Sequence, residues 1–135
     1  MKNLSRYFVC LLLLTFVCRA GWSQAPPPEQ LPANATGKWT LFCNDPNGTT
    51  STKYLDLKQD GAQIKGHFKG PYQSGGLKGT INGRHLVVRT DTRDVTVFRG
   101  RIDGPKVNGV VLGSTFVGTF HNRGGTGSFQ GQRTQ

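Results

Sequence analysis

From about residue 36 onward, apolar side chains fall on every second position in short runs separated by turn residues, the signature of strands with one face turned inward. Trp39, Leu41 and Cys43 share one face, and Asn44-Asp45-Pro46-Asn47-Gly48 ends that run as a turn. Leu55 and Leu57 come next, with Tyr54, Asp56 and Lys58 facing out. The phrase apolar-x-Gly-x-apolar then occurs five times: Ile64 to Phe68, Leu77 to Ile81, Phe98 to Ile102, Val107 to Val111 and Phe116 to Phe120. Read as a strand, each phrase places two apolar side chains and a glycine inward, the glycines being Gly66, Gly79, Gly100, Gly109 and Gly118.

Turn signals punctuate these runs. Gln59-Asp60-Gly61-Ala62 precedes the first phrase, and an irregular stretch from Gly70 to Gly76 separates it from the second. Asn82-Gly83 joins the second phrase to the apolar run ending at Thr90, and Asn-Gly between two apolar strands predicts a two-residue hairpin in which both turn residues take positive φ. Asp91 to Asp94, Asp103-Gly104-Pro105 and Asn122 to Gly125 supply the remaining turns. No helical period occurs. Eight or nine short strands with no helix predict an all-β domain over 36–135, an antiparallel up-and-down meander of about eight strands closing into a small barrel that leaves no edge exposed.

The front of the chain reads differently. Lys2 and Arg6 precede an apolar run from Tyr7 to Val17 and then small and polar residues, the layout of a secretory signal peptide and too short to span a bilayer. Cleavage is placed after Ala20, with Ala25 as the alternative, so the leader is 1–20 and the protein is expected to be secreted or periplasmic, with no transmembrane span once the leader is removed. Residues 21–35, with prolines at 26, 27, 28 and 32, read as a Pro-rich linker. Lys2, Arg6 and Arg19 fall in the leader and no Asp or Glu does, so the formal charge drops from +10 to +7 on its removal. Cys10 and Cys18 leave with it. Cys43 is then alone and can form no internal disulfide, so core packing and strand ladders must hold the fold.

Gly37-Lys38-Trp39 at the head of the first strand resembles the Gly-x-Trp opening of lipocalins and avidins, calycin-like barrels in which the tryptophan packs across one end. The cadence from Leu57 to Phe68 and the Gly79 to Leu86 hairpin are similar to the avidin type. The resemblance runs from Gly37 to about Arg133 and implies the architecture together with a binding role. No tryptophan follows Trp39, whereas avidin-type sites are walled by several, so biotin is not the implied ligand.

Candidate chemistry is sparse. His67, His85 and His121 fall on different strands without metal-ligand spacing, Asp45, Asp60, Asp91, Asp94 and Asp103 sit at turns, and the serines have no nucleophile-elbow context, so no enzyme, metal or cofactor is expected. Two binding surfaces are. An eight-stranded barrel is either packed solid or wide enough for one small ligand, and an apolar ligand inside would touch Trp39, Leu86, Val88, Phe98 and Phe116. Alternatively Lys65, Lys69, Lys78, Arg89, Arg99 and Arg101, all outward, form a stripe for an anionic polymer or lipid headgroups, with no sequence-specific nucleic-acid binding. A monomer or weak oligomer is expected.

Overall fold

The computed structural model describes residues 33–134; the expected leader, most of the linker and the terminal Gln135 lie outside them. Eight strands close into a barrel: β2 (Gly37–Asn44), β3 (Thr50–Asp60), β4 (Gln63–Lys69), β5 (Ser74–Asn82), β6 (His85–Asp91), β7 (Val97–Asp103), β10 (Thr115–Asn122) and β11 (Gly125–Thr134). Every neighbouring pair is antiparallel, and β11 returns to β2 to complete the ring. No barrel edge is left unpaired, which removes the template for edge-to-edge association. Three short strands, β1 (Ala33–Asn34), β8 (Lys106–Val107) and β9 (Val110–Leu112), form a separate small sheet in which β1 runs parallel to β9. β1 therefore takes residues of the expected linker into the fold, and Ala33 and Ala35 are buried.

The period-two reading holds for four of the five phrases. Ile64 and Phe68, Leu77 and Ile81, Phe98 and Ile102, and Phe116 and Phe120 all point into the barrel and are buried. The fourth does not. Val107-Asn108-Gly109-Val110 is a hairpin between β8 and β9, and Asn108 (φ 51°) and Gly109 (φ 76°) are its two turn residues. Gly109 is thus an exposed turn glycine outside the barrel wall.

Two of the three Asn-Gly pairs exchange roles. Asn82 is paired with His85 as the last residue of β5, so the turn residues are Gly83 and Arg84, of which Gly83 alone has a positive φ (60°), as a type II′ turn requires. The turn with positive φ at both positions is the one at Asn108-Gly109.

The barrel's inner glycines admit neighbouring backbone more than they hollow the interior. A methyl group on Gly66 would strike the carbonyl oxygen of Asp56 on β3, and one on Gly118 that of Arg99 on β7. Aromatic rings fill the interior: Trp39 meets Phe116 edge-on at 6.1 Å between centroids, Phe116 meets Phe129 at 4.7 Å, and Phe98 lies 5.7 to 5.9 Å from Phe129, Phe120 and Phe68. Such pairs each add about 0.5–1.5 kcal/mol to the stabilisation from buried area alone.

Candidate functional site at the mouth of the barrel

The meander sends alternate connections to opposite ends. One end carries the turns 61–62 and 83–84, the β8–β9 hairpin and β1; the other carries the connections 45–49, 70–73, 92–96 and 123–124. The first end is closed. Trp39 lies across it, 1% exposed, with its indole Nε1 donating to the Ala35 carbonyl at 2.9 Å. Arg133 on β11, in phase with Phe129 and Gly131, folds its guanidinium over that indole at 5.1 Å. It donates to three carbonyls, from Nε to Gly113 (2.5 Å), from Nη2 to Asn34 (2.8 Å) and from Nη1 to Thr36. Desolvation pulls its pKa below the ordinary value. Gln59 completes the seal, accepting from the Ala35 amide at 2.9 Å and donating to the Ala33 carbonyl at 3.1 Å.

The other end opens into a cavity of about 610 Å³. Its floor includes Phe68 and an ion pair built inside the barrel. Lys53 begins the inward run Lys53-x-Leu55-x-Leu57, and its side chain is only 9% exposed. Its Nζ donates to Asp45 Oδ1 at 3.0 Å and Ser51 Oγ at 2.6 Å and lies 4.7 Å from the Phe120 ring centroid. Asp45 Oδ1 also accepts from Ser51 Oγ at 3.1 Å. A lysine this deep is tolerated because carboxylate, hydroxyl and ring face replace its water. Lys53 has a third N–H and Asp45 a second oxygen, Oδ2, outside these bonds.

The rim is stitched together by side chains. The Gln73 amide donates to the Asp94 carbonyl at 2.7 Å and accepts from the Asp94 amide at 3.1 Å, tying 70–73 to 92–96. Asp94 Oδ1 accepts from the Arg123 amide at 3.2 Å, which adds the β10–β11 turn. Thr90 and Thr96, both buried, exchange hydrogen bonds within the β6–β7 connection. Tyr72 stands apart on the lip, 98% exposed.

Cys43 is buried, and this burial pushes its thiol above the ordinary pKa, with the nearby Lys53 ammonium pulling part of the way back.

The sequence candidates divide. Trp39, Leu86, Val88, Phe98 and Phe116 are all buried in the packed interior, and none lines the cavity. Lys53, Asp45 and Arg133 were not singled out, although the phase of Lys53 with Leu55 and Leu57, and of Arg133 with Phe129, already marks two cations as inward. The histidines lie exposed on β4, β6 and β10. Of the six outward cations, Lys65, Lys78 and Arg89 come into one cross-strand row, and Arg99 lies diagonal to Arg89. Lys69 is opposite Tyr54 and Ser74, off that row, and Arg101 pairs with Asp103 at 3.4 Å. Compared with known proteins, the chain matches no protein-family model and no curated protein.

Proposed function

We propose that this is an exported, non-enzymatic binding domain, lipocalin- or avidin-like in kind, that holds a small, neutral, hydroxyl-rich ring compound in the mouth of the barrel. The observation that carries this reading is the Lys53–Asp45 pair at the floor of a cavity with a braced rim. The ammonium and the carboxylate cancel, so an anion or a cation gains one attraction and one repulsion there. A ligand hydroxyl gains from both: it donates to Asp45 Oδ2 and accepts from the third N–H of Lys53. Ser51 adds a hydroxyl partner in the lining, while the exposed ring of Tyr72 offers a face for a ring compound. This lining supports a more polar ligand than the apolar one suggested by the sequence, because the apolar interior below it is already filled.

The test is an amide chemical-shift titration with neutral monosaccharides and cyclic polyols, run beside an apolar dye. Expected are shifts confined to 45–53, 70–73 and 92–96, and an affinity lowered about tenfold by Tyr72→Ala, a change too exposed to disturb the fold. Uptake of the dye alone, or shifts away from the mouth, would defeat the reading.

A further inference from the structure

The outer wall carries a second feature, independent of the mouth. In the sheet register Lys58 stands directly opposite Lys65, Lys65 opposite Lys78, and Lys78 opposite Arg89. Four adjacent strands, β3 to β6, therefore present four cations side by side, and all four are exposed. None has a carboxylate within ion-pair distance among the described residues, where the ion pairs are Lys53–Asp45, Arg84–Asp103 and Arg101–Asp103. Asp56, Asp60 and Asp91 flank the row two positions along their strands, opposite residues that are not in it. Like charges directly opposite each other destabilise a sheet, and here that arrangement occurs at three successive strand pairs. The cost is offset when an anion lies along the row.

We infer that this row is a docking track for a linear anionic polysaccharide. Neighbouring strands are about 4.8 Å apart, so the four cations span about 14 Å at a regular spacing close to the length of one sugar ring. The wall is convex, because the strands belong to a closed barrel. A flat bilayer touches such a wall along a narrow strip, whereas a flexible chain follows all four strands. Single-stranded nucleic acid is disfavoured for a different reason: it binds on stacking platforms, and no exposed aromatic among Phe42, Tyr54 and Tyr72 is paired with a residue of the row. Arg99, diagonal to Arg89, extends the track onto β7.

The experiment measures binding of a heparin-derived hexasaccharide by titration calorimetry at several salt concentrations, beside a single-stranded DNA of matched charge and vesicles containing anionic phosphatidylglycerol. One variant neutralises the row (Lys58→Gln, Lys65→Gln, Lys78→Gln, Arg89→Gln). A second removes the same charge elsewhere (Lys38→Gln, Lys69→Gln, Lys106→Gln, Arg123→Gln). The row variant should bind at least tenfold more weakly and with a shallower salt dependence, while its melting temperature stays level or rises as the like charges are relieved. The control should lose no more than about threefold from long-range attraction. Equal losses in both variants would overturn the inference by showing generic attraction to net charge. DNA or vesicles bound more tightly than the hexasaccharide would overturn the assignment of the partner.

Discussion

The same eight strands finish in opposite ways at the two ends of this barrel. At the closed end, a cation, Arg133, is spent on main-chain carbonyls: it binds Gly113, Thr36 and Asn34 and presses on Trp39, so its hydrogen-bonding capacity is directed into the fold. At the open end a more deeply buried cation, Lys53, is bound to side chains and keeps a donor beside an accessible cavity. The difference lies in the covering. The β8–β9 hairpin and β1 supply main chain over the first end, whereas the connections at the second are short and bond mainly to one another.

The contrast predicts that changes at the closed end cost more stability. Trp39→Ala should lower unfolding free energy by about 3–5 kcal/mol in urea melts, since it removes a buried indole that the surroundings cannot replace. Arg133→Met keeps the packing stem but loses charge-assisted bonds to three carbonyls, and should cost about 2–3 kcal/mol. The Arg133 variant should also speed amide exchange at Ala33 and Ala35 while leaving the mouth unaffected. Exchange that rises equally at both ends would mean that the plug does not act locally.

At the open end, Lys53→Met strands Asp45, whose side chain is 18% exposed, and should cost about 1–3 kcal/mol. Adding Asp45→Asn should return the protein to within about 1 kcal/mol of the parent, because no unpaired charge then remains. If the double variant is as unstable as the single, Lys53 contributes mainly through its packing and its cation–π contact with Phe120, and the open end is as structural as the closed one.

The smallest effect concerns Cys43. Its folded pKa is raised by desolvation, so the contribution to stability is fully present below the ordinary thiol pKa and is lost as pH rises through the folded value. Comparing the parent with Cys43→Ala from about pH 8 to about pH 10 should show a downward slope in the parent alone, of at most about 1.4 kcal/mol per pH unit. Parallel curves would place the thiol in contact with water, and rapid labelling of the folded protein would say the same.

The local pattern alone determined the strand content, the inward faces and the barrel class, because a period of two and its turn residues are properties of neighbouring positions. It also exposed its own limit at Val107 to Val111, where the motif of an inner strand is spelled by a hairpin. Two local readings compete there, since Asn108-Gly109 is also an Asn-Gly turn signal; the hairpin wins, with positive φ at both residues and β9 pairing with β8 and β1 instead of the barrel wall. Three features were decided by the tertiary structure. Lys53 becomes the floor of a cavity only because Asp45, eight residues away across a turn, swings back to it. Arg133 becomes part of a plug only because the last strand closes against the first, 97 residues from its partner Thr36. Lys58, Lys65, Lys78 and Arg89 become one row only through register, which depends on the lengths of three connections, and a slip by one residue would have turned a cation into the core.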